Sequence, residues 1–337
     1  MNFAIVGCGF IAQKHATAIE KTSDAQLVAV CDKVDGAMEY YASTYNATTY
    51  NDFSEMLNNE EIDIVCICTP SGFHVNLAVE AAESGKHIVV EKPIAMTLED
   101  SARMVAAASK NNIKLSVVHP NRFRPVVQEL KVILDSGKLG SISHANCIVN
   151  WNRNQEYYNQ ANWRGTKQFD GGVLMNQAIH NLDLLLWFMG KPTEVFSMEA
   201  TRLRKIEAED VSVGVVRFES GALASIQASS TVYSKNFEES ITLFCEHGTV
   251  KIGGTNALYF EHLEVEGMAD SAIEEIKNKV KNDPWGTPGH QWILEDMVQA
   301  VKENRVPSVT GEDGELALKL VLKMYESASN CETANFS

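Results

Sequence analysis

Short apolar runs punctuate the first third of the chain. "NFAIVG", "QLVAVCD", "DIVCICTP", "HIVVEKP" and "KLSVVHP" are almost continuously apolar and end at glycine, acid or proline. Between them lie stretches of helical period, at about 11–22, 36–45, 74–84 and 98–111. Apolar strands alternating with helices predict a parallel sheet covered on both faces, with right-handed crossovers. The pattern changes after about Asn121. "SISHANCIVNWNR" reads as a strand, and "DVSVGVVRFESGALASIQASS" as two strands about a Ser220–Gly221 turn. "ESITLFCEHGTVKIGG" repeats the arrangement about His247–Gly248. Alternation with short turns predicts a mostly antiparallel sheet with one face covered. The expected fold is α/β: a doubly wound parallel sheet over residues 1–120, then an α+β domain with a large antiparallel sheet over 121–337. The charged residues 262–283 are expected to form a surface excursion.

The first strand-to-helix turn reads "GCGFIA", Gly7-x-Gly9-x-x-Ala12. After a strand and before a helix, this spacing marks the dinucleotide-binding Rossmann fold. Gly7 permits the tight turn, Gly9 lets backbone approach a pyrophosphate, and Ala12 lets helix and strand pack closely. The helix N-terminus, with Phe10 and Ile11, offers N–H groups to phosphate. Asp32 ends the second strand, where a carboxylate accepts from ribose hydroxyls and repels a 2′-phosphate. NAD is therefore expected, with NADP allowed by the adjacent Lys33. Ligands of such sheets sit beyond the strand carboxyl ends. That line contains "TPSGFH" (69–74), "EKP" (91–93) and "HPNRF" (119–123). Lys92 is thus delivered to the reactive end of the cofactor, and Pro93 stops its strand.

Charge and cysteine usage narrow the classes. A net charge of -15 argues against a nucleic-acid partner, which needs a positive surface. No apolar run reaches membrane-spanning length, and Met1 leads directly into a strand, so a cytoplasmic protein is expected. The seven cysteines form no spaced disulfide framework. Cys66-x-Cys68 lacks a second pair at zinc spacing, so no metal is expected.

With G-x-G-x-x-A, "CTPSGFH" and "EKP" in this order, the chain resembles the Gfo/Idh/MocA family of NAD(P)-dependent sugar and polyol oxidoreductases. The resemblance implies that Lys92 is catalytic and that Glu91 lies near the nicotinamide ribose. It places Thr69, Pro70 and His74 in the cofactor-side loop, and it implies a homodimer or homotetramer.

After Gly171–Gly172 the chain reads as a helix ending near Gly190. Asn176, His180 and Asp183 share one face of it at i, i+4 and i+7. From the residues alone this stripe is equally a structural one, with His180 held by Asp183. The resemblance implies that the helix faces the nicotinamide and that His180 is catalytic. Asn176 stands where inositol dehydrogenase-like members carry an aspartate. With "EYY" (156–158), "WRGT" (163–166) and "P-x-V-x-G-E-D-G" near the C-terminus, it resembles the branch of UDP-N-acetylglucosaminuronate 3-dehydrogenases.

Arg122, Tyr157, Tyr158, Trp163, Arg164, Asn176 and His180 are the candidate substrate contacts; two arginines and aromatic faces suit an anionic sugar. The aromatics serve equally as core or interface residues, and His290 in "PGHQW" as a capping or packing residue or, alternatively, as pocket lining. The expected reaction takes a hydride from a secondary sugar hydroxyl, at C3 of a nucleotide sugar. His180 or Lys92 is the base. A free-sugar or inositol dehydrogenase, an NAD-dependent glycoside hydrolase and a non-catalytic nucleotide sensor are the alternatives.

Overall fold

The computed structural model describes residues 1–336, which form two compact units. The first unit comprises Met1–Pro120 and Pro288–Leu318; the second comprises Asn121–Thr287 and the chain from Lys319 onward.

The first unit is built on a six-stranded parallel sheet in the order β3-β2-β1-β4-β5-β6. Its strands are β1 (Asn2–Val6), β2 (Gln26–Cys31), β3 (Thr48–Tyr50), β4 (Ile64–Ile67), β5 (His87–Val90) and β6 (Leu115–Val117). Four helices, α1 (Phe10–Lys21), α2 (Asp35–Tyr45), α4 (His74–Glu83) and α5 (Leu98–Lys110), match the expected ones to within a residue or two; the short α3 (Phe53–Leu57) follows β3. Consecutive residues Phe3, Ala4, Ile5 and Val6 are all buried, so helices cover both faces of β1. Buried Ala12 and Ala16 let α1 lie close to the sheet. The helix Gly289–Lys302 returns to this unit and packs on α1, burying Ile293, Leu294, Met297 and Val298. Gly311 and Gly314 open the last helix, Gly311–Asn330; an added Cβ would meet Leu115 and Val117 at 2.9 and 2.7 Å.

The second unit carries an eight-stranded sheet in the order β13-β12-β11-β7-β10-β9-β8-β14. Its strands are β7 (Ile142–Asn150), β8 (Pro192–Ala200), β9 (Val211–Phe218), β10 (Leu223–Ser229), β11 (Glu238–Cys245), β12 (Gly248–Gly253), β13 (Tyr259–Val265) and β14 (Ala334–Asn335). All pairings are antiparallel except β7 with β10. β9 and β10 alternate buried and exposed residues, as a sheet covered on one face requires. The helix Ile179–Met189 packs on β7 and β11. Further along the covered face, the Ser197 hydroxyl on β8 donates to the Met324 carbonyl at 2.6 Å.

Residues 262–283 depart from the expected excursion. They complete β13 and form the helix Asp270–Asn282, which packs on it. Ile273 and Val280 supply its buried contacts, too sparse a stripe to stand out among its charges. Among the described residues no helix is long and apolar enough to cross a membrane.

Candidate functional site

In the first unit, the predicted cofactor residues gather at the carboxyl ends of β1, β2, β4 and β5. Gly7 has φ +87°, and an added Cβ would lie 2.8 Å from the Thr69 backbone nitrogen, so only glycine fits. At Gly9 an added Cβ would meet nothing within 4 Å. Internal packing therefore gives no reason for this glycine, and an approaching ligand does. Gly9 precedes the N-terminus of α1, and Phe10 stands 77% exposed beside it. Asp32 accepts from the Cys8 amide at 2.7 Å and the Val34 amide at 2.9 Å, which fixes its carboxylate beside the turn. A carboxylate has about four acceptor positions, so lone pairs remain for ribose hydroxyls. Lys33 donates instead to the Asn51 carbonyl. The Thr69 hydroxyl oxygen is buried with no protein partner. An open glycine at a helix N-terminus, a fixed strand-end carboxylate and an orphaned hydroxyl together fit a dinucleotide.

His74 was expected on the cofactor side. It is fully buried, with Nδ1 3.0 Å from the Pro93 carbonyl and Nε2 3.0 Å from the Thr69 carbonyl. Burial lowers its pKa against the pull of those carbonyls. A neutral ring has one N–H, so it donates to one carbonyl and packs against the other. It ties the loop after β4, in which Pro70 is half-buried, to the turn after β5.

That turn holds Glu91, half-buried Lys92 and Pro93, joined to Lys92 by a cis peptide bond. Glu91 Oε1 lies 2.9 Å from His15 Nε2 and 3.3 Å from His290 Nε2, while Oε2 accepts from the Lys92 amide at 3.2 Å. Burial pushes the Glu91 carboxyl up, but the two histidines outweigh it and hold the pKa well below the usual range. Neither histidine was assigned this contact from sequence. They lie 76 and 199 positions from Glu91, beyond any local pattern.

In the second unit a π-helical turn, Leu174–Ala178, leads into the helix Ile179–Met189. Such turns recur at functional sites. Asn176 lies in the turn and His180 near the start of the helix, both half-buried. The Asn176 amide donates to Asp170 Oδ1, and Asp170 Oδ2 accepts from the Gly165 amide at 2.7 Å. A carboxylate only accepts, so this contact orients the Asn176 amide. Glu209 sits beneath the turn, accepting from the Leu174 amide at 2.8 Å and the Tyr325 hydroxyl at 3.1 Å. Burial raises its carboxyl pKa to about 7. Asp170 and Glu209 were not singled out from sequence; the paired Gly171–Gly172 was the available signal. An added Cβ at Gly172 would meet the Glu209 carboxylate at 2.0 Å.

Two expected substrate residues are otherwise engaged. Arg122 donates to both oxygens of Asp183, at 2.8 and 2.6 Å, and lies over Trp187. Asp183, expected as a possible partner of His180, receives this guanidinium. Tyr158 is buried and donates to Ser230 at 3.1 Å. Tyr157, Trp163 and Arg164 do gather. Arg164 donates to the Tyr157 hydroxyl at 2.7 Å and lies over both rings, at 4.4 and 4.7 Å. Arg153 lies over Trp151 and Tyr157. The Arg164 Nε is buried without a partner. Two guanidiniums on aromatic faces suit an anionic ligand.

Comparison with known proteins bears on the whole chain. Residues 1–119 match the model of the oxidoreductase family with NAD-binding Rossmann fold, and residues 127–251 match the GFO/IDH/MocA C-terminal domain. The WlbA dehydrogenase from Chromobactrium violaceum, solved with NADH and UDP-GlcNAcA, is 36% identical, with a TM-score of 0.94 over 100% of this chain and 96% of that one. The WlbA dehydrogenase from Bordetella pertussis, solved with the same molecules, is 34% identical, with a TM-score of 0.95 over 100% and 98%. The myo-inositol 2-dehydrogenase of Thermotoga maritima is 26% identical over 95% of this chain and 94% of that protein. The chain belongs to the GFO/IDH/MocA family of NAD-dependent oxidoreductases.

Proposed function

We propose that this enzyme oxidises the C3 hydroxyl of a UDP-linked sugar uronate, passing the hydride to NAD. The full-length likeness to two dehydrogenases solved with NADH and UDP-GlcNAcA carries this reading. The Trp163–Arg164–Tyr157 cluster supports it, since guanidinium and aromatic faces suit an anionic sugar nucleotide.

The Gly7–Ile11 turn holds the pyrophosphate, Asp32 the adenosine ribose, and Thr69 donates its hydroxyl to the cofactor. Bound there, NAD would supply the hydride acceptor. His180 takes the hydroxyl proton as the carbon loses hydride, a task for which an imidazole is suited near neutrality. Lys92 donates a hydrogen bond to the oxygen as negative charge develops. Asn176, oriented by Asp170, fixes the sugar. The products are the 3-keto sugar, NADH and one proton.

We further propose that the enzyme is a cytoplasmic homo-oligomer. Seven free cysteines, five of them buried, suit a reducing compartment. The outer face of β8, β9 and β10 exposes Phe196, Met198, Val213, Val215 and Leu223, an apolar face that a second copy would cover.

The test is incubation with NAD and a panel of UDP-sugars, free sugars and inositols, followed at 340 nm and by mass spectrometry. A UDP-sugar uronate that loses two hydrogens is the expected result. Turnover only of inositol or a free sugar would replace this reading with a polyol dehydrogenase, as the Thermotoga likeness would suggest. Free sugar released with no NADH would indicate a glycoside hydrolase.

A further inference from the structure

The first unit buries a cluster of three titratable groups that the proposed chemistry does not use directly. His15 comes from α1, Glu91 from the tip of β5, and His290 from the first turn of the helix Gly289–Lys302. Their side chains are 1%, 8% and 13% exposed. The two rings meet edge to face at 5.3 Å, and both Nε2 atoms converge on one carboxylate oxygen.

We propose that His15 and His290 are positioning residues for the reaction. They hold the Glu91 carboxylate, and Glu91 in turn fixes the strand tip from which Lys92 projects. This rests on Lys92 acting in the proposed oxidation.

The protonation pattern follows from the partners. An ionised carboxylate only accepts, so each histidine presents Nε2–H to it. The second oxygen of Glu91 is used as well, accepting from the Lys92 main-chain amide. One rigid carboxylate therefore connects two helices to the backbone of the lysine. An apolar side chain at either histidine would fill the space but leave the buried anion one donor short.

Three such groups, within 4.8 Å of one another, could also hold a metal ion. The other nitrogen of His15 argues against it. Its Nδ1 is buried with no partner. A metal on Nε2 would force the proton onto Nδ1, where no protein atom accepts it, whereas metal-bound histidines donate that proton to a carbonyl, carboxylate or water. The Nε2–H tautomer leaves only a bare lone pair there, the less costly state.

The test compares His290→Leu with His290→Gln, and His15→Leu with His15→Gln, in the full-length enzyme. The reads are kcat and KM for UDP-N-acetylglucosaminuronate, NADH affinity by fluorescence, and Tm. Misplacing a catalytic group by about 1 Å costs on the order of 100-fold in rate, so the Leu variants are expected to lose 10- to 100-fold in kcat. NADH affinity should not change, and the Gln variants, whose amide N–H reaches a similar distance, should recover most of the rate. Equal losses in Leu and Gln variants, or a parallel loss of NADH affinity, would show a merely structural role and overturn the proposal. So would one equivalent of zinc, measured on the purified protein, that His290→Gln removes. Lys92→Met separates the two levels. If it abolishes turnover while both Leu variants keep theirs, only the positioning role is wrong. If it keeps turnover, the reaction proposed for Lys92 fails first and the positioning role with it.

Discussion

Arg122 and Asp183 illustrate how a residue's chemistry is decided by what reaches it. Their side chains are 6% and 1% exposed and meet through two parallel hydrogen bonds. Removing one partner takes both hydrogen bonds from a buried ion pair, and breaking such a pair costs roughly 3–5 kcal/mol. Asp183→Leu should therefore lower the urea midpoint by that equivalent. A stability within 1 kcal/mol of wild type would show the pair to be dispensable. Glu209 makes a prediction of opposite sign. Its pKa is raised from 4.5 to about 7 by burial, so the folded state holds a proton that the unfolded chain releases. The stability cost is absent below about pH 4.5, grows as pH rises, and levels off above about pH 7, at about 3 kcal/mol. Glu209→Gln keeps an acceptor for the Leu174 amide and cannot ionise. Its Tm should rise relative to wild type as pH goes from 5 to 8, and a constant difference across that range would refute the account.

At the scale of elements, the turn between β1 and α1 separates two uses of glycine. Gly7 is needed by the fold, since its positive φ and the Thr69 backbone exclude a side chain. Gly9 has open space around it and an ordinary φ of -77°. Gly9→Val should leave Tm unchanged and weaken NADH binding by at least about tenfold, or 1.4 kcal/mol, read by fluorescence titration. Gly7→Val should lower Tm as well. Unchanged NADH affinity in Gly9→Val would mean that the pyrophosphate does not approach this backbone. The π-helical turn before Ile179 is the second such element. Its widened backbone places Asn176 against Asp170 and Leu174 against Glu209, so two buried carboxylates support the segment that carries His180.

At the scale of the molecule, the eight-stranded sheet offers one face to its own helices and one to solvent. Val213 and Val215 on the solvent face are 54% and 55% exposed, between buried Ser212, Gly214 and Val216. Val213→Lys together with Val215→Lys should convert an oligomer to monomers, seen as a halved or quartered mass by light scattering. An unchanged mass would place the interface elsewhere. The returning segment Pro288–Leu318 contributes to the first unit both His290 and the Gly311–Gly314 contacts on β6.

The parallel sheet was legible because its strands are buried on both faces and read as unbroken apolar runs between helices. The antiparallel sheet was legible because one face is wet and the pattern alternates. Gly7, Gly9, Asp32 and Lys92 could be placed because local spacing puts strand ends in one line. The short β3 and β14, and the sparse stripe of the helix Asp270–Asn282, gave too little period to read. What only the tertiary structure decided are the partners. Sequence offered Arg122 to a substrate, His74 to a cofactor and His290 to packing. Folding gave Arg122 to Asp183, set His74 between the Thr69 and Pro93 carbonyls, and gave His290 to Glu91. A hydrogen bond is local in space and not in sequence, so periodicity can aim a side chain but cannot name the group that meets it.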